Sequence, residues 1–216
     1  MNTIVERFEK LKSKINSLKP IKPVNIIAVS KTFTLDYIKP LIDYGHLHFG
    51  ENKVQEALSK WSVQKTSSKN LKLHMIGKLQ RNKAKDAVKL FDYIHSLDNQ
   101  KLADALAIHQ NNLNKKLKYF IQVNIGNEIQ KSGIPVGELD AFSNYCINEI
   151  NLDVIGLMVI PPNDQNTDKY FKSLNDLNRS LALDNLSMGM SSDFISAVNH
   201  GSTFVRVGSS IFGSRS

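Results

Sequence analysis

VNIIAVSKTFTLDYIKPLIDYGHLHFGENKVQEALSKW, residues 24–61, sets the rhythm from which the fold is read. VNIIAVS (24–30) and HLHFG (46–50) are short apolar or alternating runs of strand length. Each leads into a stretch with helical character, 35–44 with Pro40 as an interruption, and 52–61. The pattern repeats downstream. Strands are expected at LKLHMIG (71–77), FDYIHSL (91–97), LKYFIQVNI (117–125), LDVIGLMVI (152–160), NLSMG (185–189) and TFVRVG (203–208), with helices at 80–90, 99–112, 136–150, 167–181 and 192–200. Strict alternation argues for a parallel sheet covered by helices, because parallel neighbours need crossover connections. Eight units predict a single α/β domain over residues 1–216, a (β/α)8 TIM barrel. A doubly wound open sheet ranks second, since no GxGxxG fingerprint follows the first strand. Upstream, Ile4, Phe8, Leu11, Ile15 and Leu18 make one apolar stripe at spacings of four and three, which predicts an additional N-terminal helix.

The 216 residues are 41% hydrophobic and 22% charged, an ordinary balance for a soluble protein with a full core. Cys146 is the only cysteine, so no internal disulfide forms and nothing calls for an oxidising compartment. MNTIVERFEKLKSKINSL carries charge throughout, unlike a signal peptide, and no run reaches transmembrane length; a cytoplasmic protein is expected. The net charge of +8 suits an anionic partner: nucleic acid, a membrane surface or a phosphorylated small molecule. The densest basic stretch, KLQRNKAKDAVK (78–89), lacks interleaved aromatics, and no zinc-finger or RNP signature is present. Nucleic acid is therefore not the expected partner, and the lysines read as a solvated helix face.

Ligands of such a barrel sit at the C-terminal ends of its strands, with phosphate commonly held after strands seven and eight. Lys31 follows the first strand directly, either as the point where the chain emerges into water or as a functional amine. Asn52, in FGENKVQE (49–56), stands at a helix start after the second strand, and IGKLQRNK (76–83) follows the third. SMGMSSD (187–193) and VRVGSSIFG (205–213) follow strands seven and eight. Both combine glycine with serine at a helix start, which supplies close backbone approach, hydroxyls and free N–H groups. Either loop alone is an ordinary serine-capped turn. Arg206, between Val205 and Val207, faces away from both and needs a partner, a buried carboxylate or a ligand. His46 and His48 share a strand face, but spacing supplies no third metal ligand, so they read as packing or surface residues. Trp61 reads as helix-sheet packing.

AVSKTF, HFGENKVQE, H-x-IG-x-LQ-x-NK, K-SG after the fifth strand, GLM-x-IP, SMGMSSD and GST-x-VRVGSSIFG occur in this order from about residue 24 to the C-terminus. In them the chain resembles the pyridoxal-phosphate homeostasis proteins, the YggS/PROSC family. The resemblance implies a single barrel similar to the N-terminal domain of alanine racemase, binding pyridoxal 5′-phosphate (PLP) through a lysine Schiff base. It makes Lys31 the aldimine lysine, Arg206 the partner of the pyridine nitrogen, and Ser191, Gly208 and Ser209 phosphate ligands, with Ser187 and Asn52 in the same pocket. Lys131, in QKSGI, is a solvated loop lysine or a secondary site for free aldehyde. Lys53 and Lys78 stand where the family often has tyrosine and proline, Arg81 where it often has serine, and Ser209 where threonine is frequent.

What this implies for function is intracellular vitamin B6 homeostasis: PLP held for storage, buffering or delivery to PLP-dependent apo-enzymes, by a monomer without catalytic turnover. An arginine at the pyridine nitrogen disfavours its protonation and weakens the ring as an electron sink. Alanine racemase also draws a tyrosine from an additional β domain, and this sequence ends at Ser216, soon after the eighth strand, so that domain is expected to be lacking. The alternative is a small PLP-dependent amino-acid racemase with an internal base.

Overall fold

The apolar runs close into a ring of parallel strands in the computed structural model, which describes residues 2–68, 70–128, 130–164 and 166–213. The barrel strands are β1 (Asn25–Val29), β2 (His48–Glu51), β3 (Lys72–Met75), β4 (Tyr93–Leu97), β5 (Lys118–Asn124), β6 (Asp153–Met158), β7 (Asn185–Ser187) and β8 (Phe204–Val207). Each pairs in parallel with its neighbours in chain order, and β8 returns to β1, where Arg206 lies opposite Ile27. A further two-residue strand, Ile134–Pro135, lies beside β5 outside the ring. This closure is the TIM-barrel expectation rather than the open sheet.

Strand alternation separates two cores. Outward residues such as Ala28, Phe49, Leu73, Ile94, Ile121, Leu157, Val205 and Val207 join the large cluster beneath the helices. Ile27, Phe120, Met158 and Phe204 form a smaller cluster inside the ring, with Tyr93 and Ile155 packed against it. Gly50 faces this crowded interior, where an added Cβ would come within 2.8 Å of Ile27 Cγ2.

The helices are α1 (Thr3–Ser17), α2 (Leu35–Asp43), α3 (Val54–Ser67), α4 (Ala84–Leu90), α5 (Gln100–Asn112), α6 (Leu139–Asn144), α7 (Thr167–Ser180), α8 (Phe194–Asn199) and the single turn α9 (Ser209–Phe212). Asn2 caps α1 by accepting from the Ile4 amide at 2.9 Å. The stripe Ile4, Val5, Phe8, Leu11 and Ile15 is buried, each side chain contributing about 1.5–3 kcal/mol. With it α1 packs against α2 and α9. It thereby covers the wall that a one-turn α9 leaves open.

Two helices differ from expectation. α3 runs on to Ser67, and the helix expected at 136–150 divides into a 3-10 turn (Val136–Glu138), α6 and a π turn (Tyr145–Glu149). There the Ile150 amide donates to the Tyr145 carbonyl, one residue wider than an α-helical bond. Apolar periodicity carries no mark of that shift. Among the described residues no helix is long and apolar enough to cross a membrane.

Candidate functional site

Lys31, Asn52, Ser191, Arg206, Gly208 and Ser209 all line one cleft of about 460 Å³ at the C-terminal ends of the strands. That volume suits a small cofactor. Ser30, which ends the β1 run, donates its amide to the Gly50 carbonyl at 3.0 Å, and Phe33 donates back to Ser30 at 3.2 Å. Thr32 adopts a left-handed φ of 70°, unfavourable for a β-branched residue, so the chain turns sharply just beyond Lys31. The lysine is half-buried, and its ammonium makes no hydrogen bond or ion pair among the described residues.

The turn is fastened from outside the ring. Alternation points Glu51 toward α3, where it is fully buried. Its Oε1 accepts from Ser30 Oγ at 2.8 Å, Lys60 Nζ at 2.8 Å and Trp61 Nε1 at 2.9 Å. Lys60 also donates to the Ser30 carbonyl at 2.8 Å. Trp61 is core packing, as its sequence implies, and a hydrogen-bond donor as well.

Asn52, next to Glu51, turns to the cleft, and its buried Oδ1 has no hydrogen-bond partner among the described residues. Gly77 makes this placement possible: a Cβ there would lie 2.4 Å from the Asn52 carbonyl oxygen. Opposite, Arg206 donates its amide to the Gly189 carbonyl at 2.9 Å, joining β8 to the loop after β7. Asp193 Oδ1 holds that loop by accepting from the Met190 amide at 2.5 Å. The Ser210 amide reaches Ser191 Oγ at 3.5 Å, so the two serine-bearing loops meet.

Arg206 is only 4% exposed, yet among the described residues it bonds no carboxylate. Nη1 donates to the Ser187 carbonyl and hydroxyl at 2.7 Å each, and Nη2 to the Val159 carbonyl at 2.8 Å. The salt-bridge reading is thus not what the fold contains. Three of its five N–H donors are engaged and two are left on a group that lines the cleft. Burial lowers its pKa to about 10, opposed in part by Asp193.

Ser187, expected in the same pocket, lies one layer deeper. It is fully buried, off the cleft wall, and committed to Arg206 and to His95 Nδ1 at 2.8 Å. The physical reason is register: Ser187 closes β7 below the loop that lines the cleft. From His95 a file of imidazoles continues, His95 Nε2 to His74 Nδ1 at 2.9 Å and His74 Nε2 to His48 Nδ1 at 2.9 Å. Their nitrogens face one another in pairs instead of converging, and among the described residues no group of three or more His, Cys, Asp and Glu could hold a metal ion. Sequence reading passed over Glu51, Lys60, His74 and His95. The available signal was the inward position of histidines on β2, β3 and β4. Lys131 does not line the cleft; it is ion-paired with Glu128 at 2.6 Å and donates to the Pro161 carbonyl. Lys53, Lys78 and Lys83 line a groove that shares Asn52 with the cleft.

A family model described as the alanine racemase N-terminal domain matches residues 4–216. The closed barrel is that of this class. Among curated proteins, the chain is 38% identical to the pyridoxal phosphate homeostasis protein of Pasteurella multocida, over 91% of this chain and 89% of that protein. It is 33% identical to the Escherichia coli K12 protein of the same name, over 100% and 98%. PipY of Synechococcus elongatus, solved with PLP bound, superimposes with a TM-score of 0.86 at 35% identity, covering 97% of this chain and 100% of PipY. Alanine racemase of Bartonella henselae shares the fold, with a TM-score of 0.74 at 14% identity over 99% of this chain and 60% of that enzyme. The chain belongs to the pyridoxal phosphate homeostasis family.

Proposed function

We propose that this chain binds PLP in the cleft and holds it on Lys31, as a cytoplasmic, monomeric carrier that stores PLP, buffers it or hands it to apo-enzymes. The observation that carries the reading is Arg206, a buried guanidinium without a carboxylate, held by carbonyl and hydroxyl oxygens and lining the same cleft as Lys31. The rest of the wall fits the group. Lys31 offers an unpaired amine, Asn52 Oδ1 an unused acceptor, and Ser191, Gly208 and Ser209 hydroxyls and amides for a phosphate dianion.

When bound, PLP supplies an aldehyde that amines capture and a ring that withdraws electrons from what it captures. With its two remaining N–H donors Arg206 would hold the ring nitrogen and would keep a proton off it, since a pyridinium would face a second positive charge. Asn52 gives an acceptor to Lys31 or to a phenolic O–H. Ser187 acts through Arg206. Among the described residues Lys31 and Arg206 are the only titratable side chains lining the cleft, so none of these residues offers a second acid or base for proton transfer at a captured amine. That set suits holding better than turnover.

Borohydride reduction of the PLP-loaded protein, followed by peptide mapping, is expected to leave the label on Lys31; label chiefly on Lys131 would overturn the site. PLP should bind far more tightly than pyridoxal, because the serine loops act on the phosphate. A racemase reading would require multi-turnover exchange of D- and L-amino acids that is absent from Lys31→Ala.

A further inference from the structure

Five polar side chains from five strands touch in single file across the barrel interior: Arg206, Ser187, His95, His74 and His48. The file starts at the cleft and ends on the first residue of β2, at the opposite, N-terminal mouth of the ring. One member has no choice of role. A guanidinium only donates, so Ser187 Oγ accepts from Arg206. The Ser187 hydroxyl hydrogen then needs an acceptor, and among the described residues the one within reach is His95 Nδ1. Placing the hydrogen on His95 Nδ1 instead would give Ser187 Oγ two donors and leave a fully buried hydroxyl with nothing to donate to, a penalised arrangement.

The order then propagates. With Nδ1 accepting, neutral His95 carries its hydrogen on Nε2 and donates to His74 Nδ1; His74 likewise donates from Nε2 to His48 Nδ1. We infer that Arg206 sets a single donor order along this file, fixing His95, His74 and His48 as Nε2–H tautomers, and couples protonation of His48 at the far mouth of the barrel to the cofactor-facing arginine. A protonated His48 would turn an N–H toward the N–H of His74, so it must break that contact or invert the whole file. Burial already keeps His74 and His95 neutral. Burial first, and then Lys72 on β3, oppose protonation of His48, while Asp92 ahead of β4 favours it; the Tyr93 and Phe204 rings and the His46 imidazole pack beside it. The coupling makes Ser187, His95 and His74 positioning residues for Arg206. The inference rests on the proposed function only in calling Arg206 cofactor-facing, because the donor order belongs to the apo chain.

The experiment is therefore done without PLP. Long-range 1H–15N correlation spectra of the full-length 15N-labelled protein at neutral pH should show His95, His74 and His48 as Nε2–H tautomers. In Ser187→Ala, which retains the Arg206 charge, His95 should become a tautomer mixture. The titration midpoint of His48 should rise by about one pH unit, a tenfold coupling of ordinary size between linked sites. Ser187→Thr, which restores the hydroxyl, should return it. An Nδ1–H tautomer at His95 or His74 in the wild type overturns the inference whether or not the variants fold. So does a His48 midpoint unmoved in folded Ser187→Ala, the outcome expected if Arg206 acts on the histidines through charge alone.

Discussion

Replacing Glu51 by glutamine tests how the Lys31 turn is held. The carboxylate is fully buried and its partner Lys60 has a side chain only 10% exposed, with the two charges 2.8 Å apart. Glutamine preserves the volume and can still accept from Trp61 and Ser30, so nearly all of the change falls on the ammonium, which loses its counter-charge in a poorly solvated place. Breaking one side of such a pair costs about 3–5 kcal/mol, roughly a fifth or more of the stability of an ordinary domain. Lys60→Met should cost a similar amount by stranding the carboxylate. The double variant Glu51→Gln/Lys60→Met removes both charges and is expected within about 1–2 kcal/mol of wild type, because a buried pair barely repays its own desolvation. Urea unfolding of the four proteins, compared through midpoints at constant slope, completes the cycle. A Glu51→Gln loss below about 1 kcal/mol, the size of a surface pair, would show that Lys60 escapes to solvent. Additive single effects would refute the pairing altogether. Lys60 also holds the Ser30 carbonyl, so Lys60→Met and the double variant, which both lose that donor, should load PLP on Lys31 more slowly than Glu51→Gln, which keeps it.

Arg206→Ala strands no carboxylate, so the apo protein should lose about 1–3 kcal/mol, the cost of leaving the Val159 carbonyl without its donor, while the pyridine nitrogen of the loaded protein titrates at higher pH; thermal melting and an absorption titration read the two effects. Acid should destabilise the fold through its buried imidazoles. Burial lowers the His46 pKa from 6.5 to about 4, so the stability it contributes is present above pH 6.5 and is lost as pH falls toward 4, about 3 kcal/mol for a shift of that size. His46→Gln should therefore lose less stability than wild type between those two pH values in urea titrations. Gly77→Ala places a methyl against the Asn52 carbonyl, where backbone must move; it should cut PLP binding at least tenfold, about 1.4 kcal/mol, in an equilibrium titration.

The parts of the site legible in the sequence are those in which one residue breaks a local rule. Arg206 interrupts an apolar strand, Lys31 ends one, and the Gly-Ser loops repeat at two successive strand ends; of the residues expected in the pocket, Lys31, Asn52, Ser191, Arg206, Gly208 and Ser209 line the cleft and Ser187 does not. Ser187 looks like the first residue of a loop, and only the register of β7 against β8 puts it beneath the arginine. Glu51 breaks no rule. In HFGENK it reads as a solvated charge beside a helix start, and its burial depends on α3 delivering Lys60 and Trp61 nine and ten residues later. The histidine file is still less local, with contacts spanning 26, 21 and 92 residues that exist only once the ring has closed. The strands themselves were legible because length and alternation are properties of each segment alone. The π turn at Tyr145–Glu149 was not, because a widened turn keeps the same apolar residues and changes only the hydrogen-bond partner.

Closure also explains where the site lies. Lys31 leaves the first barrel strand, and Arg206, Gly208 and Ser209 come from the last, and these two strands are hydrogen-bonded neighbours with Ile27 opposite Arg206. The amine and the guanidinium are thus far apart in sequence and adjacent in space only at the seam of the ring. Loop closure over most of the chain must be completed before they meet. The wall is then fixed from both sides: outside the barrel the Glu51 cluster holds the turn before Lys31, and inside it Ser187 and the Val159 carbonyl hold Arg206. A ligand that engages both residues bridges the seam itself, so its binding energy acts on the pairing that forms only when the barrel closes.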